Sequence, residues 1–359
     1  MSHSKLPKRD GFLFHPKEVA LLGISCEEIN SVFQELRKNF SSKKIVLIDG
    51  THDHNLNSQQ ALVFHKDHFS LEMNGSSKTF ENFALLHALD TVVVNGNHFA
   101  AREHILFCDP SKRGTLLRRQ DQLKRISAVV LSEGMDSVPE DVLNVIPNKD
   151  FSVLYSKNEL FDFFEKDYLS APPLKALVLT GGESLRMGTD KSQLNYHGVP
   201  QWKFLEQEVL SSGIPVFFSV RKATGIDRPE LEDRFVGMGA LGGIMSAMLE
   251  HPGHAFLIIA CDMPNIDRKT ITALLEQRSA SQFATCFYNE HKGWAEPLFA
   301  IWEPKSLHAM LHYLALGKSC PRKLLSELDI HSIIPGHSDF LINVNTPEER
   351  SDWFKERNI

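Results

Sequence analysis

The residues with the plainest chemical meaning lie together in Leu179-Thr180-Gly181-Gly182-Glu183-Ser184-Leu185-Arg186-Met187-Gly188-Thr189-Asp190-Lys191. Gly181, Gly182 and Gly188 lack Cβ atoms, so the backbone there can turn sharply and bring its N–H groups close to phosphate oxygens. Arg186 can grip two phosphate oxygens at once, and Lys191 adds a point charge. A bare Gly-Gly pair would be no more than a tight turn between a strand and a helix. Glycines, Arg and Asp-Lys at fixed offsets in one segment point instead to a cradle for a polyphosphate. A carboxylate suited to the same chemistry is Asp262, just past the apolar run Ala255–Ala260. Mg²⁺ prefers hard oxygen ligands and is often held by one or two carboxylates together with substrate phosphates. Pro264 helps to end the strand and to direct that carboxylate. The competing reading is a strand-ending Asp that caps the next helix.

Smaller signals support the pair. In Gly237-Met238-Gly239-Ala240-Leu241-Gly242-Gly243-Ile244, Gly242 and Gly243 open a helix, where free N–H groups bind anions; close packing is the alternative. Asn343 and Asn345 flank Val344, and a strand would place both on one side. Asn both donates and accepts, so the two can orient a phosphate or a metal-bound water, or else cap the helix starting at Pro347. The cations of Gly317–Lys323 mark either an anion dock or a solvated helix start.

These residues need a frame, and the hydrophobic pattern supplies one. Short apolar runs at Val19–Leu22, Ile45–Ile48, Thr91–Val94 and Ser127–Leu131 read as buried strands, with helices at Ile29–Phe40 and Asn82–Leu89. The double proline of Tyr168-Leu169-Ser170-Ala171-Pro172-Pro173 suits neither helix nor strand interior and reads as a linker. A second series follows. Strands are expected at Leu174–Leu179, Ile214–Val220, Ala255–Ala260, Phe283–Phe287 and Pro297–Ile301. Helices are expected at Pro200–Ser212, Leu241–Glu250, Arg268–Gln277, Pro304–Leu316, Pro321–Leu328 and Pro347–Glu356. The expected fold class is α/β, two tandem α/β domains over residues 1–170 and 171–359, the second Rossmann-like. The glycine loop then follows a strand, at the edge of the sheet where ligands bind.

Bulk properties narrow the partners. The chain has 359 residues, enough for about two domains. A net charge of -6 argues against a general nucleic-acid binder. Met1–Asp10 has no apolar core, so no signal peptide is expected, and no apolar stretch is long enough to span a bilayer. Cys26, Cys108, Cys261, Cys286 and Cys320 are scattered without zinc or redox spacing, which fits a reducing cytoplasm.

The glycine segment resembles the signature of the molybdenum cofactor guanylyltransferase family (MobA), within the nucleotidyltransferase superfamily. The resemblance runs over roughly Lys175 to Asn358. Gly237–Ile244 is similar to the family's Gly-Pro-Leu-Gly-Gly segment, with Ala240 in place of the usual Pro. Cys261-Asp262-Met263-Pro264 resembles its metal-binding Asp, Glu296-Pro297-Leu298 its substrate-side loop, and Asn343-Val344-Asn345-Thr346-Pro347-Glu348 its Asn-x-Asn-Thr-Pro motif. The resemblance implies a nucleotidyltransferase fold and attack by the terminal phosphate of Mo-molybdopterin on the α-phosphorus of GTP, with release of pyrophosphate. Arg186, Lys191 and Mg²⁺ on Asp262 would neutralise charge. Gly181, Gly182, Gly188, Asp233, Gly242, Asn343 and Asn345 would bind substrates, with Asp233 at the ribose or base. The partners it implies are a molybdenum-insertion protein and acceptor molybdoenzymes. Cytidylyl transfer to the same cofactor, transfer to a sugar phosphate, and a non-catalytic cofactor chaperone are the other readings. Asp233 is otherwise a solvent-facing residue of a charged stretch.

In the first domain, Val19–Ser31 reads as strand, loop and helix, where a P-loop would sit. The positions that need Gly, Lys and Ser or Thr hold Glu28, Ile29 and Asn30, and Glu27 and Glu28 repel phosphate. Val46–His54 and Asp90–Gly96 resemble the second and third strands of the P-loop adaptor MobB, which implies a degenerate P-loop-like fold without triphosphate hydrolysis. His52, Asp53, His54, His65 and His68 fit no standard metal spacing. Lys112, Arg113, Arg118, Arg119, Lys124 and Arg125 form a basic run on an expected helix, either a solvated face or a dock for an anion.

Overall fold

A computed structural model describes residues 15–50, 61–64, 69–72, 86–123, 125–180, 191–290 and 292–357. Described residues up to Ser170 form one compact unit and those from Ala171 onward a second.

The first unit runs β1 (Glu18–Leu22), α1 (Cys26–Asn39), β2 (Ile45–Ile48), β3 (Ala61–Phe64), β4 (Phe69–Glu72), β5 (Thr91–Asn95), β6 (His104–Cys108), α2 (Arg113–Arg118), β7 (Ile126–Leu131), α3 (Glu140–Val145), β8 (Ser152–Leu154) and α4 (Lys157–Phe164). Six strands form one sheet in the order β2-β5-β1-β6-β7-β8. Every neighbouring pair in it is parallel. β1 and β5 are buried along their whole length, which is why Val19–Leu22 and Val92–Val94 read as apolar runs. β3 and β4 pair as a separate antiparallel hairpin. At the turn after β1, Gly23 has φ +98°, and a Cβ there would stand 2.2 Å from Phe107 O. The next helix is fixed by a capping box: Ser25 Oγ accepts from Glu28 N at 3.2 Å, and the Glu28 carboxylate accepts from Ser25 N at 2.7 Å. Ile29 is fully buried. Where a P-loop lysine would stand, this chain has a core residue.

The second unit runs β9 (Leu174–Leu179), α5 (Gln201–Ser211), β10 (Val216–Val220), β11 (Glu230–Glu232), α6 (Gly239–Glu250), β12 (Ala255–Ala260), α7 (Arg268–Glu276), β13 (Ala284–Asn289), β14 (Trp294–Trp302), α8 (Ser306–Ala315), α9 (Pro321–Leu325), β15 (His331–Ile333) and α10 (Pro347–Arg357). Its sheet has the order β11-β10-β9-β12-β14-β13-β15. β11, β10, β9 and β12 are mutually parallel, whereas β14 runs antiparallel to both neighbours, so the sheet is mixed. Side chains alternate across β9. Ala176 and Val178 join one core with Leu205 of α5 and Ile271 of α7; Leu177 joins the other with Ile244 of α6 and Met310 of α8. Helices thus cover both faces, in an α/β layer architecture.

Several sequence expectations change. Strands at Ser152–Leu154, Glu230–Glu232 and His331–Ile333 were not anticipated, because each is only three residues long and carries too few apolar positions to show a period; His104–Cys108 was not anticipated either, although Ile105–Cys108 is an apolar run. The basic run is not one helix: α2 stops at Arg118, a 3₁₀ turn spans Gln120–Gln122, and Lys124 lies outside the described residues. Half of the expected helix at Asn82–Leu89, residues 82–85, and His52, Asp53, His54, His65 and His68, also lie outside them. Among the described residues, no helix is long and apolar enough to cross a membrane.

Candidate functional site

The carboxyl ends of β9, β10 and β12 meet at a cavity of ≈ 420 Å³. Among the described residues its lining includes Thr180, Lys191, Arg221, Asp233, Ala240 and Asp262. Thr180 Oγ1 donates to Ser219 O at 2.7 Å, tying the ends of β9 and β10 together. Gly181, Gly182, Arg186 and Gly188 lie outside the described residues. Lys191, the last residue of the signature, opens a 3₁₀ turn, Lys191–Gln193.

Asp262 stands two residues past β12. It is not a helix cap: the next helix, α7, is capped by Asp267, whose carboxylate accepts from Thr270 N at 2.9 Å. Asp262 instead belongs to a polar chain. Its Oδ2 lies 3.6 Å from Lys191 Nζ, and its Oδ1 accepts from Asn343 Nδ2 at 3.0 Å. Lys191 Nζ also donates to Asn345 Oδ1 at 2.7 Å. The side chains of Lys191 and Asp262 are 24% and 21% exposed, so solvent reaches both.

Asn343 and Asn345 are brought here without the expected strand. Residues 342–345 form neither helix nor strand. A backbone hydrogen bond, Val344 N to Asp262 O at 2.8 Å, ties the segment to Asp262, with Asn343 on the carboxylate and Asn345 on Lys191. The helix-cap role falls to a neighbour: Glu349 N donates to Thr346 Oγ1 at 3.2 Å, and the Glu349 carboxylate takes the N–H groups of Asn345 and Thr346. Both asparagine side chains are therefore left for the site.

Asp233 lines the cavity and is locally fixed rather than solvent-facing. Its own N–H bonds Val220 O at 2.8 Å, and its Oδ1 accepts from Phe235 N at 2.8 Å. The role expected of Gly242 is corrected. α6 begins at Gly239, so its free N–H groups belong to the residues before Gly242, and Gly239 and Ala240 line the cavity. Gly242 is buried, and a Cβ there would stand 2.6 Å from Phe235 O and 3.1 Å from the Asp233 carboxylate. A Cβ on Gly243 would stand 2.5 Å from Ser219 Oγ. These glycines let α6 approach the sheet and Asp233 closely.

The structure adds a cation that sequence reading missed. Lys292 Nζ donates to Asn343 Oδ1, lies 3.3 Å from Glu296 Oε2, and donates to Leu341 O at 3.3 Å. Lysine has only donors, so it must take the amide oxygen of Asn343 and leave the NH₂ for Asp262. Glu296 is buried, and burial raises its carboxyl above the ordinary value while Lys292 pulls it back. A Lys four residues before a Glu is an unremarkable pattern in sequence; only the contact to Asn343 reveals its use. Among the cations of Gly317–Lys323, Arg322 covers the Trp294 ring at 4.5 Å and Lys318 lies 5.3 Å from the centre of the Tyr313 ring.

Comparison with known proteins bears on the same region. The description "MobA-like NTP transferase domain" matches residues 176–332. A molybdenum cofactor biosynthesis bifunctional protein of Synechocystis is 34% identical over 50% of this chain and 54% of its own length. The chain thus spans about half the length of that relative. A probable molybdenum cofactor guanylyltransferase of Bacillus cereus is 30% identical over 48% of this chain and 92% of its own length. Among solved structures, molybdopterin-guanine dinucleotide biosynthesis protein A of Archaeoglobus fulgidus is similar at 18% identity and a TM-score of 0.44, covering 51% of this chain and 98% of its own.

Proposed function

The chain belongs, through its second unit, to the MobA-like NTP transferase family, and from that premise we propose that it transfers GMP from GTP to the terminal phosphate of Mo-molybdopterin. The observation that carries the reading is the Asp262 carboxylate at the carboxyl edge of the sheet, aimed by Asn343 and faced by Lys191 in a cavity of ≈ 420 Å³. The donor set suits Mg²⁺: one hard carboxylate, partly exposed, with room for substrate phosphates as the remaining ligands. Bound there, Mg²⁺ would supply Lewis-acid polarisation of the α-phosphate.

The nucleophile is already an anionic phosphate oxygen, so no general base is required. A new bond forms from that oxygen to the α-phosphorus, the α–β bond breaks, and pyrophosphate leaves. The chain's part is alignment and charge neutralisation. Lys191, held by Asn345 and Asp262, is assigned to neutralise the charge that develops on the leaving pyrophosphate. Arg186 and the glycines Gly181, Gly182 and Gly188 complete the cradle in this reading. Asp233, braced by Phe235 N, is assigned to the ribose or base. Asn345 and Asn343 orient Lys191 and Asp262 respectively. The first unit, residues 1–170, is assigned as a degenerate P-loop-like domain without triphosphate hydrolysis, and Ile29 in the core supports this. A molybdenum-insertion protein, acceptor molybdoenzymes and a cytoplasmic location complete the proposal.

The test is pyrophosphate release from GTP, CTP, UTP and ATP with Mg²⁺ and the pterin acceptor, on the full chain and on Asp262→Asn. GTP-dependent release, lost in the variant, is expected. Release from CTP alone would make the enzyme a cytidylyltransferase. Retained cofactor binding with no release from any nucleotide would make it a chaperone.

A further inference from the structure

In the first unit, three loops bring a thiol, an imidazole and a carboxylate together, and nucleotidyl transfer uses none of them. Cys26 opens α1 after β1, Asp49 follows β2, and His98 follows β5; β2, β5 and β1 are adjacent parallel strands. All three residues therefore sit beyond the carboxyl ends of a parallel sheet, where α/β folds bind ligands. Cys26 Sγ lies 3.3 Å from His98 Nε2 and accepts from Asn97 Nδ2 at 3.7 Å. Asp49 Oδ1 stands 3.6 Å from the same imidazole nitrogen. That carboxylate is itself held by Asn95 Nδ2 at 2.8 Å and Gly50 N at 2.7 Å. The imidazole is seated against bare backbone: a Cβ on Gly50 would stand 2.9 Å from the His98 ring. Asn97 Nδ2 also donates to Ile24 O at 2.9 Å, tying the β5 loop to the β1 loop.

We propose that Cys26 is a nucleophilic thiol, with His98 as its proton acceptor, and that it exchanges with small neutral or cationic disulfides. The sulfur–imidazole contact is the pairing that activates cysteine nucleophiles. In the step, the Cys26 proton passes to His98 Nε2 while sulfur attacks one atom of the substrate disulfide. A new S–S bond forms, the old one breaks, and the departing thiolate takes the proton from His98. One disulfide is consumed and one formed, with no net oxidation.

In disulfide exchange charge develops only on sulfur, beside the imidazole and carboxylate that the three loops supply. The charge preference follows from Glu27 and Glu28, both exposed in the first turn of α1, and from Asp49; with Asp109, which acts on Glu28, these acids outnumber the nearby cations Lys112 and Arg119, the latter donating to Gly96 O and Asn97 O, and so disfavour an anionic reagent. Three other cysteines offer no such site. Cys108 and Cys286 are buried, with thiols pushed up by burial to about 11 and about 12, and Cys261 is buried as well. Cys320 is partly exposed. Burial raises its thiol, but the backbone N–H groups of Lys323 and Arg322 bring it below the ordinary value, so Cys320 has to be removed in the test.

The experiment uses the full chain with Cys320→Ser and follows mixed-disulfide formation by intact mass, with cystamine and with oxidised glutathione. Expected are one adduct at Cys26, abolished by Cys26→Ser, and a faster reaction with cystamine. His98→Ala should slow it on the order of 10²-fold, the low end for general-base catalysis, and added imidazole should restore part of the rate. A Cys26 rate equal to that of N-acetylcysteine under the same conditions would overturn the proposal, even if His98→Ala fails to fold. So would an unchanged rate in His98→Ala, or no rescue by imidazole. A faster reaction with oxidised glutathione would overturn the assigned substrate class.

Discussion

Lys292→Met separates the positioning of Asp262 from the general stability of its surroundings. Methionine keeps the apolar stem and removes the charge. Three acceptors then lose a donor: Asn343 Oδ1, Glu296 Oε2 and Leu341 O. Removing one member of a buried ion pair costs about 3–5 kcal/mol. Lys292 is 29% exposed, and Glu296 can take up a proton once its partner is gone, so about 1–3 kcal/mol is expected in unfolding. The effect on rate has a different source. With nothing holding Oδ1, the Asn343 amide can turn and present its oxygen to Asp262, losing one hydrogen bond to a charged group, about 1.5–3 kcal/mol. That corresponds to a fall in kcat of about 10- to 150-fold. The assay is pyrophosphate release at saturating GTP and acceptor, beside denaturant unfolding. Lys292→Met/Glu296→Gln should regain stability, because no charge is left unpaired, without regaining rate. Recovery of both together, or a full kcat in Lys292→Met alone, would refute the relay through Asn343. Glu296 adds a sign. Its folded carboxyl holds a proton more tightly than the unfolded chain, whose ordinary value is 4.5, so its contribution to stability is greatest below that value. That contribution is lost as pH rises through the folded value, and Glu296→Gln should flatten this slope.

Two further outcomes are expected elsewhere in the second unit. Gly243→Ala places a Cβ 2.5 Å from Ser219 Oγ and should destabilise by about 1–3 kcal/mol, with part of the loss recovered in Gly243→Ala/Ser219→Ala; thermal unfolding of the two variants checks it, and equal losses would show that the clash lies elsewhere. His251 is lowered from 6.5, first by burial and then by Lys175, whose Nζ is 2.9 Å from His251 Nδ1. As pH falls below 6.5 the unfolded chain protonates first, so stability is lost on acidification through that range. Lys175→Met should raise the His251 midpoint part of the way back, read from its Cε1–H signal by NMR; no movement would mean that burial alone sets it.

How much of this was legible before the structure depends on how local each signal is. β9 and β12 are central strands covered on both faces, so their apolar runs Leu174–Leu179 and Ala255–Ala260 are written in the sequence residue by residue. β11 and β15 are three residues long, with Glu230 and Glu232 or His331 among them, and derive their order from a neighbour rather than from composition. The reversal of β14 is invisible for the same reason: strand direction depends on the turn after Asn289 and on pairing with β12, not on which residues alternate. At the site, Lys191 was legible through its place in the glycine segment and Asp262 through its place just past an apolar strand. Asn343 and Asn345 were singled out in part by a period of two, although residues 342–345 form no strand.

The Asn343–Asn345 case shows what fixes the geometry. Residues 343–345 form neither helix nor strand, so contacts from outside fix them: the backbone bond from Val344 N to Asp262 O, beside the side-chain bonds of Asn343 and Asn345. Because the acceptor is the backbone of Asp262 itself, any displacement of residues 343–345 also moves them relative to its carboxylate. Burial of Val344 beside Tyr196 and Trp353 anchors the same residue from its other side. The apolar residue between the two asparagines is thus the one that aims them. Its signal in the sequence is a lone valine between two polar residues, which no periodicity argument could have singled out.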